Sequence, residues 1–204
     1  MANGFDKEID YGYDSVAVRY GIKYGNEKLV FVKAGLGGDI PGYCEKYLKI
    51  AERLNGKYGC TVICASNPTE IRDQTAIDKF AIDEAVRELG VSSYETYFFG
   101  HSNGGVKGLE LARAGQSFKR MMLVNMPLMI NMFTVKNIIK AIPETSVSMI
   151  YGELDPSLFY TAFFDRIRDN VKVSIIAGAD HNFTGYLEEF IQLADRLLPG
   201  QKKV

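Results

Sequence analysis

The sequence predicts an α/β protein: a mostly parallel central sheet with antiparallel strands at its N-terminal side and helices on both faces. Three observations lead there. From Cys60 onward, short apolar runs alternate with segments whose apolar residues recur at helical spacing, the pattern of βα units joined by right-handed crossovers. Ahead of that point two strand-like runs are joined by a turn. In the middle of the chain an aromatic and β-branched run, residues 94–99, passes through Gly100-His101-Ser102-Asn103-Gly104 straight into a helical pattern.

Taken in order, residues 15–20 and 28–33 read as two strands, and Gly25-Asn26 between them suits a hairpin turn. A glycine cluster, Gly35-Leu36-Gly37-Gly38, follows the second strand. Tyr47, Leu48, Ala51 and Leu54 space out an amphipathic helix over residues 43–54, with Asn55-Gly56 as its stop signal. Residues 60–65 form a continuous apolar run, as in an inner strand covered on both faces, and Ser66-Asn67-Pro68 ends it. A helix over residues 73–89 carries Ala76, Phe80, Ala81 and Val86 and stops at Gly90. After the Ser102 turn, Val106, Leu109 and Leu111 mark the next helix. Residues 120–124 are strand-like, and a methionine-rich stretch over 126–142 runs up to Pro143. A strand over 146–151, a helix over 158–167, a strand over 171–176 and an amphipathic helix over 186–198 complete the chain. One domain over residues 1–204 is expected, without repeat, linker or low-complexity tract.

Composition narrows the function classes. Lys and Arg number 24 against 25 Asp and Glu, so no charge excess points to nucleic acid or an anionic membrane. The longest apolar region, residues 121–133, contains Asn125, Pro127 and Asn131 and falls short of the roughly 20 residues that span a bilayer, so no membrane partner is expected. Residues 1–10 carry Asp6, Lys7, Glu8 and Asp10 and lack a signal-peptide layout, which together with three cysteines and no CxxC pair suggests a reduced, cytoplasmic protein. Cys60 and Cys64 stand four apart on an apolar strand and are expected to be core residues. With only His101 and His181 to join them, no metal site is expected.

The five residues from Gly100 to Gly104 carry the chemistry. G-x-S-x-G places a serine on a sharp strand-to-helix turn, its Oγ exposed and the first helical N–H groups free to face an anion. A phosphate loop would require Gly-Lys-Ser/Thr, whereas Gly105 is followed by Val106; the earlier glycine cluster has Ile40 where a dinucleotide fingerprint needs glycine. With this elbow, and with antiparallel strands leading into βα units over nearly the whole chain, the sequence resembles the α/β-hydrolase superfamily.

Ser102 needs a base, and two histidines are available. His101 adjoins it on a tight turn, where neighbouring side chains diverge, so it is read as part of the elbow. His181 follows the last parallel strand, on the sheet edge where the elbow also emerges, and Asp155 follows the strand before it. The chain order Ser102, Asp155, His181 is the one the superfamily uses. Glu153 and Asp180 are the competing carboxylates, expected to serve as surface or loop-stabilising groups. By position the resemblance assigns the oxyanion hole to the N–H groups of Leu36 and Asn103, although Ala34 stands where the family often has histidine.

The resemblance thus implies a serine hydrolase acting without cofactor on a small-molecule acyl substrate, a carboxylic ester or related compound. Carbon–carbon hydrolase or lyase chemistry on the same triad, and a noncatalytic binding protein that keeps the fold, are the alternatives. Where the superfamily often inserts a cap, residues 126–143 leave room for one short helix, and Met126, Met129, Met132 and Phe133 are either core or the lining of an acyl pocket.

Overall fold

The computed structural model describes residues 4–13, 16–129, 132–164, 167 and 169–198. Eight strands, β1 (Lys7–Tyr13), β2 (Val16–Lys23), β3 (Asn26–Lys33), β4 (Cys60–Ala65), β5 (Glu95–His101), β6 (Arg120–Val124), β7 (Ser146–Gly152) and β8 (Val171–Ile176), form one sheet in the order β1-β2-β4-β3-β5-β6-β7-β8. β1 with β2 and β2 with β4 are antiparallel; every other pair is parallel. The helices are α1 (Lys46–Tyr58), α2 (Thr75–Leu89), α3 (Asn103–Arg113), α4 (Met132–Ala141) and α5 (Leu187–Leu193).

Strand alternation divides the core in two. On one face Val30, Val62, Phe99 and Met122 pack with Ile50, Ala51 and Leu54 of α1 and with Phe190 of α5. On the other Phe31, Ile63, Phe98 and Met121 meet Ala81 and Ile82 of α2, Leu109 of α3 and Ile139 of α4. Consecutive side chains of β5 therefore serve opposite faces, as the period of a strand requires. Cys60 and Cys64 are both buried on the α1 face, and burial pushes the Cys60 thiol up to about 11.

Three expectations are corrected. The strands flanking Gly25-Asn26 do not pair as a hairpin: β2 pairs with β1 and β4, and β3 crosses to lie between β4 and β5. Leu29 to Val32 are at most 1% exposed, so this apolar run goes to the sheet interior, where both its faces are covered. α1 continues through Gly56 and stops at Gly59, whose φ of 67° and N–H bond to Asn55 O close the helix, while the Asn55 amide donates to Tyr24 O and Cys60 O. The helix expected over 158–167 is a 3-10 turn, Pro156–Phe163. The methionine-rich stretch holds, among the described residues, the one short helix expected there, α4. Expected Ser15 lies outside the described residues. β1 escapes sequence reading because Lys7 and Glu8 stand side by side and Asp10 and Gly12, both poor strand formers, break up its apolar residues on an edge strand.

At the carboxyl ends of the parallel strands the elbow is fixed by backbone contact. A Cβ on Gly104 would lie 2.4 Å from Lys33 O and 2.5 Å from Ala34 O, so only glycine lets α3 approach β3 this closely. Gly56, on the outer side of α1, has nothing within 4 Å of that position. Gly104→Ala should therefore destabilise by about 3 kcal/mol or more, and Gly56→Ala should stabilise by about 1 kcal/mol. Urea midpoints test the pair; equal shifts would contradict the close approach.

Candidate active site

Ser102 joins β5 to α3 at φ 53° and ψ −129°, a conformation that non-glycine residues adopt at a cost of about 1–3 kcal/mol. It is held by its N–H donating to Val124 O at 2.8 Å and its carbonyl accepting from Gly105 N–H at 2.9 Å. The turn delivers Ser102 Oγ to 2.9 Å from His181 Nε2. His181 Nδ1 lies 2.5 Å from Asp155 Oδ2, and the second carboxylate oxygen accepts from Ser157 N–H at 2.7 Å. Asp155 is buried, as the cap of the 3-10 turn that begins at Pro156. A carboxylate accepting at Nδ1 assigns the ring proton there and leaves the Nε2 lone pair facing the hydroxyl.

The three residues expected from sequence are thus brought together, and the two competing carboxylates are engaged elsewhere. Glu153 accepts from Gly178 N–H at 2.8 Å. Asp180 accepts from the N–H groups of Thr184 and Asn182 at 2.8 and 3.0 Å, and the Thr184 donor, followed by these other bonds, holds its carboxyl below the usual range. In the glycine loop, Gly35 N–H donates to Tyr47 Oη, Gly37 N–H to Asn67 O and Gly38 N–H to Gly35 O. Among the described residues Leu36 N–H has no such partner, and Asn103 N–H opens α3, where no intrahelical acceptor exists. The loop passes close over the elbow: a Cβ on Gly35 would be 3.3 Å from Ser102 Cβ.

This architecture has structural counterparts. The chain is similar to Est1E from Butyrivibrio proteoclasticus (TM-score 0.69, 15% identity, covering 93% of this chain and 96% of that one). It is also similar to an alpha-beta serine hydrolase homologue from Coxiella burnetii (0.69, 16%, 96% and 98%). A soluble variant of monoglyceride lipase from Saccharomyces cerevisiae gives 0.64 at 11% identity over 94% and 96%. No protein-family model matches the sequence, and no curated protein does. The chain has the α/β-hydrolase fold.

Within that fold its cap is minimal. Between β6 and β7 the described helix, α4, buries Val135, Ile138 and Ile139 against the sheet, as a crossover helix does. Met126 is core and touches the space beside Gly105, whereas Met129 and Phe133 are exposed. A cleft of about 450 Å³ opens beside Ser102 and His181, walled by Leu36, Tyr43, Lys46 and Tyr47. A larger hollow of about 650 Å³ adjoins it at Asp39, Pro41 and Gly42 but does not reach Ser102. Among the described residues no group of three or more His, Cys, Asp and Glu is placed to hold a metal ion, and no helix is long and apolar enough to cross a membrane.

Sequence reading missed the residues that hold this site together. Asn125, buried at the end of β6 with φ 48°, donates to Asp180 O and His181 O and accepts from Gly152 N–H, tying the His181 loop to the end of β7 that leads to Asp155. Asn67 donates to Ala34 O and to Asn103 Oδ1, tying the glycine loop to the elbow. The one available signal was an asparagine just past an apolar strand end, which also reads as a plain turn residue.

His101 belongs to the same framework. Its Nε2 is 3.0 Å from His181 O and its Nδ1 is 3.2 Å from Tyr47 Oη. A carbonyl only accepts, so Nε2 carries the proton and Tyr47 donates to Nδ1. Burial, reinforced by nearby Lys46, pushes the His101 pKa down to about 3. Between that value and about 6.5 the unfolded chain binds one more proton than the native state, so stability rises with pH through this window and is lost as pH falls through it. His101→Gln, which keeps a donor near His181 O, should lower the slope of unfolding free energy against pH by about one proton between about pH 4 and 6. An unchanged slope would mean that His101 is not held neutral.

Proposed function

We propose that the protein is a small serine hydrolase that cleaves a carboxylic ester or related acyl compound through an acyl-enzyme. The observation that carries this reading is the unbroken hydrogen-bonded series from Ser102 Oγ through His181 to buried Asp155. Ser102 attacks the acyl carbon while His181 Nε2 takes the hydroxyl proton, and Asp155 orients the ring and stabilises the imidazolium. The N–H groups of Leu36 and Asn103 receive the negative charge of the tetrahedral intermediate. His181 then protonates the leaving group, and the same ring activates the water that releases the acid.

The named counterparts, a serine hydrolase homologue and a monoglyceride lipase, support acyl chemistry. The minimal cap suits small substrates, since little apolar wall exists to grip a long chain. Two buried free cysteines and one exposed one suit a reducing compartment, and we place the protein in the cytoplasm.

p-Nitrophenyl acetate should give a burst of nitrophenol stoichiometric with enzyme, followed by slower turnover. Ser102→Ala should lose burst and turnover together while remaining folded. Asp155→Asn should lower kcat about 10⁴-fold, because the amide favours the wrong imidazole tautomer. A full burst in Ser102→Ala, or near-normal turnover in Asp155→Asn, would contradict the assignment.

A further inference from the structure

α1 begins in an unusual way. Its first residue is Lys46, its first turn has no acidic residue, and Glu45 ahead of it caps nothing with its side chain. A cation therefore stands at the positive end of the helix dipole, where an anion would be favoured. The chain reaches this point through Gly42, Cys44 and Glu45 at φ 69°, 52° and 60°, the last two strained for residues with side chains.

Lys46 is also 7% exposed. Its ammonium lies 5.3 Å from the centre of the Tyr47 ring and 4.8 Å from that of Phe190, and among the described residues it has neither a hydrogen bond nor an ion pair. The contrast is Lys33, fully buried on β3, whose ammonium meets Asp78 Oδ1 at 2.8 Å. A buried charge is ordinarily paired, because the aromatic faces replace only part of the lost hydration. Lys46 walls the same cleft as Ser102 and His181. Burial lowers its pKa to about 8, opposed by the charge of Asp180, which leaves it mostly protonated at pH 7.

Resting on the serine-hydrolase reading, we infer that Lys46 binds a carboxylate carried by the substrate, so that the preferred substrates are esters of acids bearing a second, free carboxylate. One ammonium matches one negative charge. A phosphate monoester, with nearly two charges and three acceptor oxygens, would call for further donors. Exposed Leu36 and Tyr43 in the same cleft suit the apolar chain between the two ends of such a molecule.

The test compares monoethyl succinate, glutarate and adipate with ethyl butanoate, pentanoate and hexanoate, following acid release by titration. Wild type should favour at least one acidic ester over its neutral counterpart in kcat/KM. Lys46→Met should reduce that ratio at least tenfold, through KM, and Lys46→Arg should restore most of it. A proportional loss of kcat on both series would make Lys46 an aid to the oxyanion, and a wild-type preference for every neutral ester would also overturn the inference. Calorimetry of glutarate on Ser102→Ala gives a readout free of turnover: its Kd should weaken at least tenfold when Lys46→Met is added. Binding intact with no ester cleaved would sink the hydrolase reading alone; ester cleavage intact with glutarate binding absent or indifferent to Lys46 would sink the carboxylate subsite alone.

Discussion

The close approach of α3 to the end of β3 is the constraint on which the rest of the candidate site depends. Lys33 and Ala34 present their carbonyl oxygens where any side chain on Gly104 would stand. Gly100 is confined in the same way, since its Cβ would fall 2.7 Å from Gly105 N and 2.8 Å from Gly104 C. With backbone packed against backbone on both sides, Ser102, midway between the two glycines, is held at a positive φ of 53°. Within the elbow the strain falls on Ser102, and it turns the Ser102 Oγ toward His181. The glycine loop that follows β3 is thereby brought over Ser102, because β3 and the elbow cannot move apart independently.

Around this fixed point the polar groups act as ties between loops that are far apart in sequence. Asn67 links the end of β4 to the glycine loop and to Asn103; Asn125 links the end of β6 to the loops after β7 and β8; Tyr47 and His101 join α1, the glycine loop and the carbonyl of His181. Each is buried and hydrogen-bonded, so displacing any of the loops would leave a polar group unsatisfied. The uncharged His101 ring suits this role, while the half-exposed ring of His181 keeps access to solvent and to the cleft.

The parts of this arrangement that are local in sequence were legible there. The elbow announces itself through Gly100, Ser102 and Gly104, and the parallel sheet through the apolar runs ending at Ala65, Val124 and Ile176. Asp155 and His181 could be placed because each directly follows a strand, and strand ends of a parallel sheet share one edge. What depends on distant partners was not legible. β3 is separated from β2 by an inserted β4, and nothing at Gly25-Asn26 distinguishes that crossing from a hairpin. Gly56 looks like a helix stop until the packing of Ile50, Ala51 and Leu54 carries α1 past it. Asn67, Asn125 and Tyr47 are ordinary residues until the fold supplies their acceptors and donors.

Mass spectrometry after treatment with a fluorophosphonate addresses the central claim most directly, since the reagent reacts with a serine only where a base and an oxyanion site converge on it. One adduct per chain, mapped to the peptide containing Ser102 and absent from Ser66, Ser117, Ser157 and the other serines, is the result expected. An adduct on a different serine, or none on the native protein, would show that the Ser102 elbow is a feature of the fold without the chemistry attributed to it.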